Sequence, residues 1–179
     1  MIIAEEKRRE NIIEYILYMW QIEDMLRACN LDYEEVEQKI ISGYDQPDEV
    51  MEEIRQWYRS HLDMLKREGK QSKGHLAYLE TLVEDLQQLH TKLLNIKQDK
   101  EYQSLYSEAL KAIQPLKART GSPLSEVELC MNGLYGYLLL KLQNKSISEE
   151  TRDSVNKITA MLRFLAEKFR DTESGLEEI

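Results

Sequence analysis

The scarcity of turn-forming residues limits the folds open to this chain more than any other feature. Its 179 residues include only 7 Gly and 3 Pro. β-Sandwiches, barrels and propellers need a turn after every short strand, and those turns consume such residues. The composition therefore argues against these classes and favours long helices. A chain of this length buries roughly 70% of its unfolded surface, so it needs neither a metal nor a disulfide to fold.

Start and stop signals divide the chain into helices. Asp32, with Glu35 three residues later, is typical of a helix start, as is Ser148 before two acids. Stops are predicted at Asn30 and Asn144. We predict an all-α fold, a compact antiparallel bundle of six to seven helices with no sheet. The predicted domain covers residues 1–170, and a frayed acidic tail covers 171–179. The predicted helices span 5–29, 33–42, 47–68, 73–97, 100–118, 123–143 and 149–170.

Two of these helices are apolar on nearly every side, namely the first and the sixth. Such a helix lies at the centre of a bundle or is covered by another subunit. The last helix instead has a narrow apolar seam that includes Leu162 and Phe169. We predict a homodimer that uses the sixth or the last helix, with Tyr137, Leu162 and Phe169 as candidate interface residues. The alternative is that both surfaces are buried within one subunit.

Gly133 and Gly136 interrupt the otherwise strong sixth helix. Each costs about 1 kcal/mol relative to Ala, so a packing reason is expected. The structural interpretation is the close approach of a neighbouring helix. The functional interpretation is a ligand or partner that lies on exposed backbone.

Glu23 interrupts the apolar stripe of the first helix, so it is expected on a buried face. A buried carboxylate must be paired or protonated, and Arg27 is the local partner one turn later. His61 occupies a similar central position on the stripe of the third helix. Glu23, Arg27 and His61 therefore form the candidate polar site, either a structural ion pair or an acid–base pair.

The histidines and cysteines do not predict a metal or cofactor site. His75 and His90 are both placed on the fourth helix, about 22 Å apart at 1.5 Å per residue, too far to share an ion. The three histidines are expected to be core residues with hydrogen-bond partners. Cys29 and Cys130 lack the spacing of metal ligands and suit a reducing cytosol. We therefore predict no metal, no cofactor and a cytoplasmic location.

The charge balance disfavours nucleic acid as a partner. The net charge is −9 and the isoelectric point is near 5.0, so a phosphate backbone would be repelled. The longest uncharged and mostly apolar run, residues 129–140, is shorter than the ~20 residues of a membrane-spanning helix. Neither nucleic acid nor a membrane is therefore predicted as a partner.

No nucleophile motif or convergent acid–base pattern indicates an enzyme. The sequence favours a non-enzymatic interaction or scaffold protein with a protein partner that it does not identify. The alternative is a helical bundle that binds a small ligand or regulates through a buried polar site, and an enzyme is the third choice.

Two segments carry a resemblance to a protein family. The stretch IIAEEKRRENIIEYILYMWQIEDMLRACNLD at residues 2–32 and MNGLYGYLLLKLQ at 131–143 are similar to a bacterial family described as a domain of unknown function. Residues 18–23 are the most specific part. The resemblance implies a single-domain, all-helical, cytoplasmic bacterial protein of about 180 residues. It implies no activity and no residue roles.

Overall fold

A computed structural model describes residues 2–95, 100–120 and 124–175. Over these ranges there are eight α-helices and no strand, which confirms the all-α prediction with slightly more helices than expected. No helix in the described ranges combines the length and apolarity required to cross a membrane. The helices are α1 Ile2–Glu10, α2 Ile12–Ala28, α3 Tyr33–Lys39, α4 Asp48–Arg67, α5 Ala77–Asn95, α6 Lys100–Thr120, α7 Glu126–Leu142 and α8 Glu149–Glu173.

The predicted first helix is in fact two helices separated at Asn11. The side-chain Oδ1 of Asn11 accepts the backbone N–H of Ile13 at 3.0 Å, so Asn11 caps a new helix. The predicted single helix over 5–29 was therefore wrong. Residues 5–10 are all charged and the apolar stripe begins at Ile12, so the break coincides with a change from a polar to an apolar helix.

Local caps elsewhere agree with the predicted boundaries. Asp32 accepts the N–H of Glu35 at 3.0 Å, and Ser148 accepts that of Thr151 at 3.2 Å. The predicted stop at Asn30 has φ 52°, and that at Asn144 also has φ 52°. A left-handed residue at this point ends a helix because it turns the chain out of the helical path.

The end of the chain extends the last helix beyond its predicted boundary. α8 continues to Glu173, so residues 171–173 of the predicted acidic tail are helical. Residues 176–179 of that tail lie outside the described residues.

The chain divides into two compact units. The first unit comprises residues 1–10 and 14–81, and the second comprises 11–13 and 82–179. α2 and α5 each contribute residues to both. The single domain predicted over 1–170 stays a prediction.

Each unit has its own buried apolar residues. The largest fully buried side chains of the first unit are Ile16, Met19, Trp20, Leu26, Ile41, Tyr58, Leu65, Leu76 and Leu79. In the second unit α8 packs mainly against α6 and also against α7. The apolar seam of α8 is used in this packing, with Ile158, Leu162 and Leu165 buried.

Candidate functional site

The buried carboxylate of Glu23, on α2, is the centre of a polar cluster in the first unit. The residue is 1% exposed. Its Oε1 accepts the backbone N–H of Leu76 at 2.9 Å, and its Oε2 lies 2.6 Å from Nδ1 of His75. Nη2 of Arg27 lies 3.8 Å from the same Oε2. Both oxygens of Glu23 therefore have donors, as a buried carboxylate requires.

Arg27 connects α2 to the segment between α4 and α5. Its Nε donates to the carbonyl of Lys70 at 3.1 Å, and its Nη2 donates to the carbonyl of Gly74. Its Nη1 donates to Asp24 at 2.9 Å. Gly74 has φ 82°, a conformation that an L side chain rarely adopts. Arg27 thus fixes the turn that presents His75.

His75 lies just before α5, in contact with Trp20. The two rings stack with centroids 4.2 Å apart and planes 15° apart. The side chain of His75 is 29% exposed. Glu68 accepts the N–H of Ala77 at 2.8 Å, so carboxylates from α2 and from the end of α4 both meet the start of α5. Negative charge at a helix N-terminus is stabilising.

The structure joins two members of the predicted polar site and gives the third a different partner. Glu23 and Arg27 are in contact, but the histidine that Glu23 binds is His75. Nδ1 of His61 instead lies 2.8 Å from the carbonyl of Trp57. Burial lowers the pKa of His61, although the Trp57 carbonyl and the charge of Glu23 act in the opposite direction.

Sequence reasoning missed His75 because it placed this residue inside a helix starting at 73. α5 begins at Ala77, and the sequence just before it contains no Ser, Thr, Asp or Asn that caps it. The cap comes instead from Glu23, 53 residues earlier in the chain. The residues next to the start of α5 contain no pattern that would indicate a cap from so distant a residue. The glycines that flank the turn, Gly69 and Gly74, are the one hint of its position.

A second polar cluster surrounds His90 in the second unit. His90 is 2% exposed, and its Nδ1 lies 2.6 Å from the hydroxyl of Tyr102. Its Nε2 lies 3.6 Å from Glu126, which also accepts the hydroxyl of Tyr106 at 2.8 Å. Burial lowers the pKa of His90 despite the nearby Glu126. His90 is thus the hydrogen-bonded core histidine that the sequence predicts.

The glycines of α7 border an open cleft between α6, α7 and α8, also within the second unit. Its volume is about 690 Å³. A Cβ on Gly133 would lie 3.3 Å from Leu116 of α6, so the backbone approaches a neighbouring side chain closely there. A Cβ on Gly136 would meet no atom within 4 Å. The lining residues include Ala112, Pro115, Leu116, Gly133, Gly136, Tyr137, Leu139, Leu140, Val155 and Ile158, with Lys111, Asn132, Gln143, Glu150, Thr151 and Ser154 as polar members.

The predicted interface residues fall into two groups. Gly133, Gly136 and Tyr137 line this cleft. Leu162 is 1% exposed and Phe169 is half-buried on α8, where the seam packs within the chain. Leu140, which also lines the cleft, is 40% exposed, and Leu142 at the end of α7 is 57% exposed. In the described part of the second unit, the exposed large apolar side chains are therefore on α7, and in the first unit Ile3 on α1 is also exposed.

The thiols and carboxylates do not assemble a metal centre in the part of the chain that the structure describes. No group of three or more His, Cys, Asp or Glu residues there could hold a metal ion. Cys29 and Cys130 are free and buried. Burial raises the pKa of Cys130 to about 12, so this thiol is a poor nucleophile at neutral pH.

Comparison with known proteins gives a family but no described relative. The family model for a domain of unknown function, DUF4924, matches residues 1–176. No curated protein and no solved structure matches the chain.

Proposed function

The chain belongs to the DUF4924 family of unknown function, and we propose that it is a non-enzymatic interaction protein that pairs with a second copy of itself through α7. The observation that carries this proposal is the open cleft at Gly136, lined in part by the exposed side chain of Leu140, together with the exposed Leu142 at the end of the same helix.

Exposed apolar side chains next to an apolar cleft favour association. Monomeric proteins rarely expose large contiguous apolar patches, and such patches often mark interaction sites. Burying the remaining exposed surface of Leu140 and Leu142 would favour association by roughly 25 cal/mol per Å² of apolar surface. Because Gly136 has no side chain, an apolar group of a partner can approach the backbone of α7 there.

The charges on α7 support a second copy as the partner. A chain with net charge −9 repels its own copies over most of its surface, but residues 129–140 contain no charged side chain. α7 has Glu128 in its first turn and Lys141 in its last. In an antiparallel pair with two-fold symmetry, Glu128 of each copy lies near Lys141 of the other. The two helix dipoles are then also opposed.

Light scattering with one blocking variant tests the proposal. The wild-type protein at tens of micromolar should have twice the chain mass of 21.2 kDa. Gly136→Leu places a side chain in the cleft, with a Cβ that meets no atom within 4 Å, and should give a monomer. Gly43→Leu is the matched control, since a Cβ there also meets nothing within 4 Å, and it should remain a dimer. A monomeric wild type refutes self-association, and a dimeric Gly136→Leu refutes the cleft as the interface.

A small ligand in the same cleft is the second candidate function. Its volume of about 690 Å³ falls within the roughly 300–1,000 Å³ that small-molecule sites occupy. Lys111 and Glu150 supply polar groups beside the apolar walls. A ligand at 100 times its Kd would add about 2.7 kcal/mol of stability, so a thermal-shift screen detects it. A shift that Gly136→Leu abolishes and Gly43→Leu retains would favour this function.

We further propose a bacterial cytoplasmic location and no nucleic-acid partner. Two free cysteines suit a reducing compartment. The acidic balance of the chain disfavours binding to phosphate backbones.

A further inference from the structure

We propose that His75 is a phosphoryl-accepting site, modified at Nε2 by a donor of the phosphoramidate class. This inference concerns the first unit and does not depend on the proposed self-association. It rests on the orientation of one imidazole ring, on its exposure and on the charges around it.

The two ring nitrogens of His75 have different surroundings. Nδ1 is held by the buried carboxylate of Glu23 at 2.6 Å, which selects the tautomer with the hydrogen on Nδ1. In that tautomer the lone pair is on Nε2, and no residue in the described ranges forms a hydrogen bond with this atom. The stacked Trp20 covers one face of the ring, and the side chain as a whole remains 29% exposed.

Exposure separates His75 from the other two histidines. Its side chain is 29% exposed, whereas His61 is 8% exposed and His90 is 2% exposed. Nδ1 of His61 contacts a backbone carbonyl, and Nδ1 of His90 contacts a tyrosine hydroxyl. Only at His75, of the three, does Nδ1 hydrogen-bond to a carboxylate while the ring remains accessible.

The segment that presents His75 is basic in an acidic chain. Residues 66–75 contain four bases, Lys66, Arg67, Lys70 and Lys73, and one acid, Glu68. The ammonium of Lys70 lies 3.4 Å from the position of a Cβ on Gly74, the residue before His75, although it also pairs with Glu80. Basic side chains in the segment that presents a histidine favour a dianionic phosphoryl group on it.

The transfer balances with phosphoramidate as donor. The Nε2 lone pair attacks phosphorus and forms an N–P bond, while the P–N bond of the donor breaks and its electron pair leaves with ammonia. The nitrogen of phosphoramidate is already protonated, so it leaves as neutral ammonia without taking a proton from the protein. The ring retains its Nδ1 hydrogen and becomes positively charged, and the carboxylate of Glu23 compensates that charge. A carboxylate plays this role toward histidine in serine proteases.

Incubation of the full chain with potassium phosphoramidate tests the proposal. Intact mass and peptide mapping at neutral pH should find one phosphoryl group per chain, on His75. The native chain should react at least about tenfold faster than the same chain unfolded in urea, because the carboxylate of Glu23 stabilises the positive charge that the ring gains during transfer, and a tenfold rate ratio corresponds to about 1.4 kcal/mol. His75→Gln should remain unmodified.

Two carboxylate variants identify the role of Glu23. Glu23→Gln keeps an acceptor for Nδ1 but removes the compensating charge, so its rate should fall about tenfold. Glu53→Gln removes an exposed carboxylate of α4 in the same unit and should keep the wild-type rate. Circular dichroism checks that both fold, and if Glu23→Gln does not, the native-to-unfolded rate ratio of the wild type decides. An unmodified wild type, equal modification of His75→Gln or equal native and unfolded rates would each overturn the proposal.

Discussion

The polar cluster at Glu23 and the cleft at Gly136 differ in what surrounds their central residue. Glu23 is 1% exposed and both its oxygens have donors from distant parts of the chain. Gly136 has no side chain, and a Cβ there would meet no atom within 4 Å. Removing a group from the first region leaves unpaired polar atoms, whereas adding one to the second fills empty space. Mutations should therefore affect folding in the first region and binding in the second.

The largest expected effect is the loss of Glu23. Glu23→Ala leaves the N–H of Leu76 and the His75 ring without their acceptor and removes one of the carboxylates near Arg27. The free energy of unfolding should fall by about 3 kcal/mol, as when one partner of a buried pair is removed. Urea denaturation measures this loss. Glu80→Ala, which removes an exposed partner of Lys70, should cost less than about 1 kcal/mol. Similar costs for the two variants would contradict a structural role for the cluster.

Acid should weaken the fold through two histidines of depressed pKa. Burial lowers the pKa of both His61 and His90, so the unfolded chain binds their protons more readily. Their contribution to stability is full above the unfolded pKa near 6.5 and falls as the pH drops through that value toward the folded pKa. Each of the two histidines changes the free energy of unfolding by at most about 1.4 kcal/mol per pH unit.

Unfolding at a series of pH values, compared with His90→Gln, measures this slope. The variant should lose the part of the pH dependence that belongs to His90. Should its profile between pH 5 and 7 match that of the wild type, His90 does not contribute to the acid sensitivity.

The smallest expected effects come from two glycines that both face open space. Gly69 has φ 70° and Gly136 lies inside a helix, and neither would place a Cβ within 4 Å of another atom. Gly69→Ala should cost about 1–2 kcal/mol because of its left-handed backbone. Gly136→Ala should raise the free energy of unfolding by as much as about 1 kcal/mol, because Ala has a higher helix propensity than Gly. The midpoints of urea unfolding should move in opposite directions. A destabilising Gly136→Ala would mean that the cleft requires the glycine.

Most helix boundaries follow from local chemistry and were predictable. Asp32 bonds to an N–H three residues away, and Asn30 and Asn144 turn the chain with their own backbone angles. Such signals involve residues within one helical turn of each other, so a short stretch of sequence is enough to identify them. Asn11 carries the same kind of signal, between six charged residues and the apolar run that begins at Ile12, but the predicted first helix ran through it.

The candidate site was only partly predictable because its contacts join distant residues. The sequence indicated a paired Glu23 and supplied Arg27 one turn later, and this pair is present at 3.8 Å. It did not indicate His75, because the start of α5 is capped by a carboxylate from α2. The prediction for His61 rested only on the apolar stripe of its helix. Such a stripe indicates which side of the helix a residue is on, but not which residues of other helices lie next to it.

The helical class, most helix ends and the burial of Glu23 follow from the order of residues, because they depend on local propensity and on the cost of burying a charge. Long-range packing sets which donors meet that carboxylate, and it buries the seam of α8 while leaving Leu140 and Leu142 of α7 exposed. The periodicity of apolar residues indicates which side of a helix is buried. The groups that cover this side depend on how the whole chain packs.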